Sequence, residues 1–129
     1  MDRTEVIYLD THVLVYLFAG EVNRLGGAAR KAIDRHEVLA SAAAVLELEL
    51  LHEIGRLKPT ASKLISGVAA DIGLRVCDLP FRTIVEHALS ESWTRDPFDR
   101  LIVANAKAAG AGLVTKDQRI RDNYSRALW

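Results

Sequence analysis

The chain has 129 residues, half of them hydrophobic and 26% charged. That is enough for one compact domain with a real core, too few for two ordinary domains, and too apolar for a disordered chain. Seventeen Lys and Arg balance seventeen Asp and Glu, which argues against a bulk nucleic-acid coat but leaves room for a local basic groove. One cysteine, Cys77, excludes an internal disulfide framework; in its apolar run it reads as a small buried hydrophobe. No apolar stretch approaches the roughly 18 residues that span a bilayer. The opening Met-Asp-Arg-Thr-Glu lacks a signal-peptide pattern, so no membrane partner is expected and the cytoplasm is the expected compartment.

Val6-Ile7-Tyr8-Leu9 is a continuous apolar run of β-formers, the pattern of a parallel strand buried on both faces. Asp10 and Thr11 follow, with Thr11 placed to cap a helix beginning at His12 and stopped by Gly20. Residues 25–36 predict a second helix, and Val38-Leu39-Ala40 a short strand. Ser41 can cap a helix through Ile54, ended by Gly55. Pro59-Thr60 opens another helix to Ile72 before Gly73. Arg75-Val76-Cys77 reads as a strand, and Pro80 opens a helix to Ser90. Pro97 sits in the first turn of a helix over 98–109, with Asp96 as its cap. Leu113-Val114-Thr115 forms a further strand, and a short helix follows Asp117. Strands alternating with helices predict an α/β fold, with a small parallel sheet of four or five strands sandwiched by helices. In such sheets ligands bind beyond the carboxyl ends of the strands.

Four acidic residues stand where folding alone does not place them. Asp10 and Asp117 lie at or just past strand ends, although a helix cap or Asx turn also explains a lone strand-end aspartate. Glu47 is the most telling. On a wheel at about 100° per residue, Ala43, Leu50, Leu51 and Ile54 fall within about 60° of it, which puts it in the middle of the apolar stripe, where a buried salt bridge is the plain alternative. Glu49 and His52 fall on the opposite side and read as a solvated face. Asp99 shares a face with Ile102, Val103 and Ala106, although a first-turn acid also suits the helix dipole. Thr115 adds a hydroxyl beside Asp117 that can hold a carboxylate. This all-oxygen set suits Mg²⁺ or Mn²⁺ rather than zinc. Such ions activate water and clamp phosphate, so the chemistry implied is phosphodiester hydrolysis.

Four segments then carry a resemblance. They are Val6-Ile7-Tyr8-Leu9-Asp10-Thr11, the stretch from Ser41 through Glu47 to Leu51, Arg95-Asp96-Pro97-Phe98-Asp99-Arg100-Leu101-Ile102, and Leu113-Val114-Thr115-Lys116-Asp117. In order and spacing, and over nearly the whole chain, they resemble PIN-domain proteins, specifically the VapC-type toxin ribonucleases of toxin–antitoxin systems. The resemblance implies a PIN-like fold over residues 1–129 and a metal-dependent endoribonuclease. It puts the acidic site on Asp10, Glu47, Asp99 and Asp117, with Asp96 as an extra ligand or a neighbour supporting one, and Thr115 and Thr11 in support. It also implies a homodimer, held in check by a small cognate antitoxin. Relatives with the Asp-Pro-Phe-Asp-Arg segment often carry His just before it, where this chain has Ser92-Trp93-Thr94-Arg95. Trp93 either stacks on a base or packs, and packing is the simpler expectation.

For an RNA substrate, Arg95, Arg100 and Lys116, with Arg119 and Arg121, are the cations nearest the acidic motifs in sequence, and solvated surface charge explains each one equally well by itself. Two rival readings remain. One is an aspartate-based phosphotransfer or phosphatase domain using Asp10, Thr115 and Lys116. The other is a non-catalytic binding module on the same fold.

Overall fold

The computed structural model describes residues 5–129; Met1–Thr4, part of the stretch read for a leader, lie outside the described residues. Five strands form one parallel sheet: β1 (Val6–Leu9), β2 (Glu37–Ala40), β3 (Arg75–Val76), β4 (Gly112–Val114) and β5 (Ala127–Leu128), in the order β3-β2-β1-β4-β5. Seven helices connect and cover them: α1 (Thr11–Phe18), α2 (Gly27–Arg35), α3 (Ala42–Glu53), α4 (Ala61–Ile72), α5 (Phe81–Ala88), α6 (Pro97–Ala108) and α7 (Gln118–Asn123). The α/β architecture expected from the alternating pattern is therefore the observed one.

The central strand is the most apolar. Ile7, Tyr8 and Leu9 are buried together with Val38, Leu113 and Val114 on the flanking strands and Val13, Leu14, Leu48, Leu64, Ile102 and Val103 on the covering helices. Burying such side chains contributes about 1.5–3 kcal/mol each. Strand order runs outward from β1 in both directions, through β2 to β3 on one side and through β4 to β5 on the other. The gap past the carboxyl ends of β1 and β4 is thus the point where chain direction across the sheet reverses, the usual ligand crevice of an open parallel sheet.

Local chemistry sets the helix starts. Ser41, Thr60, Asp96 and Asp117 each accept backbone N–H groups of the turn they precede, satisfying donors that the helix itself leaves open. Gly73 ends α4 in the left-handed region at φ 74°, where a side chain is strained. Gly67 serves α4 differently. A Cβ there would lie 2.8 Å from the Phe18 ring, so its bare backbone is what lets α4 lie against the end of α1.

Several expectations need correction. Asp10, not Thr11, caps α1: its Oδ1 accepts from the Thr11 N–H at 2.8 Å, and the helix begins one residue early. The α3 stripe is turned. Ala44 and Leu48 are the fully buried positions, while Leu46, Leu50 and Ile54 are 55%, 39% and 65% exposed. The buried direction lies about 80° round the wheel from Glu47, so Glu47 stands on the flank of the core stripe. Apolar residues cover more than half the circumference of α3, and a wheel by itself cannot choose between their two faces. Glu49 and His52 are not solvated either. Glu49 Oε1 accepts from the Ala61 N–H at 3.0 Å, and His52 Nδ1 lies 3.1 Å from the Leu57 carbonyl, tying α3 to the turn that leads into α4. Cys77 is only partly buried, and its sulfur accepts from the Tyr8 hydroxyl at 2.9 Å and from Asn105 Nδ2 at 3.2 Å.

Candidate active site

Asp10 leaves the central strand with its backbone still in the sheet, its N–H donating to the Val114 carbonyl at 3.0 Å. Its side chain is 6% exposed and held at both oxygens, Oδ1 by the Thr11 N–H and Oδ2 by the Thr115 hydroxyl at 2.6 Å. Burial pushes its carboxyl above the ordinary 3.8, and the two hydrogen bonds partly offset that. Thr115 also accepts from the Asp117 N–H at 3.1 Å, so one fully buried hydroxyl fixes Asp10 and the turn that carries Asp117. The Thr11 hydroxyl reaches across to α3 and donates to Glu47 Oε1 at 2.5 Å. One oxygen of Glu47 is thereby engaged and the other is left unengaged.

The remaining acids come from the starts of α6 and α7. Asp96 spends Oδ1 on the Phe98 and Asp99 N–H groups at 2.8 and 3.2 Å, and Asp117 does the same for Arg119 and Ile120 at 2.8 and 3.2 Å. Asp99 lies between them without a hydrogen bond of its own side chain. Burial first, and then the negative charges of Asp96, Asp10, Asp117 and Glu47, raise its carboxyl from 3.8 to about 7. Glu47 is raised too, by burial and then by Asp10 and Asp96, with the Thr11 hydrogen bond opposing. These mutual repulsions place all five carboxylates in one field although they come from four separate parts of the chain. Sequence spacing alone does not predict such convergence.

The donor set is oxygen only, as hard divalent cations require. Among the described residues, no three His, Cys, Asp or Glu side chains are gathered tightly enough to cage one ion. Mg²⁺ keeps several waters and takes one or two carboxylates directly, so it does not require such a cage. The fit rests on Asp99, a carboxyl without a side-chain hydrogen bond among the described residues, which burial first and its acidic neighbours second raise to about 7 and which a cation would relieve.

The cations divide. The Arg100 guanidinium turns away to the Ala88 carbonyl at 3.1 Å, and Arg95 bonds the Ser92 carbonyl at 2.9 Å. Arg119 bonds the Trp93 carbonyl and lies 5.9 Å from the Trp93 ring centroid, while Arg121 bonds the Lys116 carbonyl at 3.2 Å. Trp93 packs on the core, and its indole N–H donates to the buried Glu91 at 2.6 Å. Lys116 is exposed and lines a cavity of about 320 Å³ together with Asp10, His12, Tyr16 and Asp117. Sequence reasoning passed over His12 and Tyr16; their spacing, i and i+4 on α1 directly after Asp10, puts them on one helical face and was the available signal.

This arrangement of a parallel sheet with acids at its switch point matches a known family. The PIN domain matches residues 7–125. The chain belongs to the PIN-domain family. Among curated PIN-family relatives it is 37% identical over 123 residues to Ribonuclease VapC22 of Mycobacterium tuberculosis, covering 91% of this chain and 91% of that protein. Solved structures share the fold at lower identity. One is VapBC2 from Rickettsia felis bound to a DNA fragment from its promoter (TM-score 0.61, 15% identity, 91% and 92% of the two chains). Another is a toxin–antitoxin complex from Klebsiella pneumoniae (TM-score 0.61, 16% identity, 95% and 96%). No helix among the described residues is long and apolar enough to cross a membrane.

Proposed function

We propose that this protein is a metal-dependent endoribonuclease and the toxin of a toxin–antitoxin pair. The observation that carries the reading is the convergence of Asp10, Glu47, Asp96, Asp99 and Asp117 on one field that lifts Asp99 to about 7. Such a concentration of unpaired negative charge is costly in a protein that does not bind a cation. The close likeness over nearly the full length to a protein named a ribonuclease supports RNA as the substrate.

Asp10, Asp99 and Asp117 would hold Mg²⁺, or Mn²⁺ in its place, with Asp96 completing the set through its uncommitted oxygen. When bound, the ion supplies positive charge to the scissile phosphate and makes water a better nucleophile. The chain's own residues orient the reaction. Thr115 and the Thr11 N–H fix the Asp10 carboxylate, so its direction does not have to be found during catalysis. Glu47, steadied at one oxygen by Thr11, uses the other to orient the attacking water. The water oxygen would bond to phosphorus, giving up its proton to Glu47, as the P–O bond to the leaving oxygen breaks in line with it; the leaving oxygen takes a proton from solvent, so one RNA end keeps the phosphate and the other carries a hydroxyl.

An antitoxin and a second copy of the chain complete the reading. The exposed apolar row Leu46, Leu50 and Ile54 on α3 supports an association surface, and co-purification with the product of an adjacent small reading frame, followed by size-exclusion chromatography, tests both partners. For the activity itself, Asp10→Ala and Asp99→Ala should abolish Mg²⁺-dependent RNA cleavage while the far-UV circular dichroism is retained. Cleavage at the wild-type rate by either variant contradicts the assignment.

A further inference from the structure

The cavity beside the carboxylates has a mixed lining. Asp10 and Asp117 line it with acid, and His12, Tyr16 and Lys116 line it beside them. Lys116 makes no ion pair with any described residue and is exposed to the opening. His12 stands on the first turn of α1, two residues after Asp10, and lines the same cavity. Tyr16 is 7% exposed, and no described residue hydrogen-bonds its hydroxyl. The ring cannot swing to find a partner. The Arg24 guanidinium lies 4.3 Å from its centroid, and Trp129 packs against it at 6.5 Å and 60°. The Tyr16 hydroxyl is not among the buried polar atoms that lack a partner, so it stays open to water in the cavity and can exchange that water for an oxygen or nitrogen of a ligand.

The chemistry needed there is specific. One part of the ligand carries negative charge, for Lys116, with an oxygen that the His12 imidazole can hydrogen-bond, and an adjoining neutral part hydrogen-bonds a phenol. At about 320 Å³ the cavity is at the small end of the roughly 300–1,000 Å³ range of ligand sites. That suits a single nucleotide unit splayed from a strand and excludes a duplex.

We propose that this cavity is the subsite for the nucleotide adjoining the scissile phosphate, with Lys116 and His12 contacting its phosphate and the Tyr16 hydroxyl hydrogen-bonding its ribose or base. The proposal rests on the ribonuclease reading and assigns that reading three side chains, His12 and Tyr16 from α1 and Lys116 from the turn after β4.

The test uses Tyr16→Phe, which keeps the ring and its Arg24 contact, and Lys116→Ala with Lys116→Arg as its rescue. Binding of a fluorescent random-sequence single-stranded RNA pool is followed by anisotropy in an inactive Asp99→Asn background, and cleavage of the same pool is measured in the otherwise wild-type chain. Tyr16→Phe should raise Kd and KM about threefold to tenfold, the value of one hydrogen bond, with kcat little changed. Lys116→Ala should weaken binding and reduce the slope of log affinity against log salt by about 0.7, with Lys116→Arg restoring it. A merely structural role does not move that slope. If the wild-type chain cleaves the pool while all these variants bind and cleave like their parents, the subsite is refuted and the ribonuclease reading survives. If the wild-type chain neither binds nor cleaves the pool, the ribonuclease reading falls and takes the subsite with it.

Discussion

Replacing Asp99 by asparagine removes one negative charge from the place where four others repel it. The Asp99 carboxyl stands at about 7 in the folded protein against an ordinary 3.8. Between those values the folded chain binds a proton that the unfolded chain has lost, so stability falls as pH rises across that window, and the full penalty is present above about pH 7. At about 1.4 kcal/mol per pH unit the penalty is about 4 kcal/mol at most. The carboxyl is only half-buried, and solvent screening reduces this to about 1–2 kcal/mol. Asp99→Asn keeps the shape and removes the charge. Without divalent metal at pH 8 it should raise Tm by roughly 3–8 °C for a chain of this size. At pH 5, where wild-type Asp99 is already protonated when folded, the gain should shrink to less than half. Saturating Mg²⁺ should stabilise the wild type more than the variant and narrow the gap. Differential scanning calorimetry in EDTA at the two pH values, then with Mg²⁺, reads all three. A variant no more stable than wild type at pH 8, or a gain independent of pH, refutes the account of Asp99 as an electrostatically loaded ligand.

Other perturbations give distinct outcomes. Thr115→Val removes the donor to Asp10 and the acceptor of the Asp117 N–H; urea denaturation should show a loss of about 1–3 kcal/mol, and cleavage should fall about 10–100-fold. Gly67→Ala drives a Cβ to 2.8 Å from the Phe18 ring and should cost about 1–3 kcal/mol in the same assay. Glu91→Ala leaves Lys107 and the Trp93 indole without their buried partner; a loss on the order of 3 kcal/mol is expected, and a Tm within a degree of wild type would contradict it. Metal affinity should rise with pH through about 7, since an ion must displace the Asp99 proton; calorimetric Mg²⁺ titration at pH 6 and pH 8 checks this.

The fold was legible because its signals are local. Apolar runs at Val6–Leu9 and around Leu113 report parallel strands, and Ser41, Thr60, Asp96 and Asp117 announce helix starts by the chemistry of their own side chains. The two-residue strand β5 lacked such a signal. It exists because Thr115 and Leu113 N–H groups find the Leu128 and Arg126 carbonyls at 3.0 and 3.1 Å, a pairing set by tertiary position and not by strand-forming side chains. The acids of the site could be picked out one by one, since each was out of place for burial or capping. Their joint field could not, because it depends on how far α3 and α6 are turned. Glu47 was singled out on a wheel that chose the wrong centre for the stripe, and it stays half-buried because it flanks that stripe. Thr11 was read as a cap and instead bridges α1 to Glu47, a contact between residues 36 apart. His12 and Tyr16 carry no motif, and only the cavity they line gives them a role.

Grouped carboxylates from separate chain segments are what would make this PIN-domain protein a metal-dependent ribonuclease. Single-turnover cleavage of a labelled RNA pool by the purified wild-type chain, stripped with EDTA and then resupplied with Mg²⁺, tests it most directly. The account predicts no cleavage in EDTA, recovery on adding Mg²⁺, and no recovery for Asp99→Asn under the same conditions. Cleavage that persists in EDTA, or that Asp99→Asn supports at the wild-type rate, would contradict it.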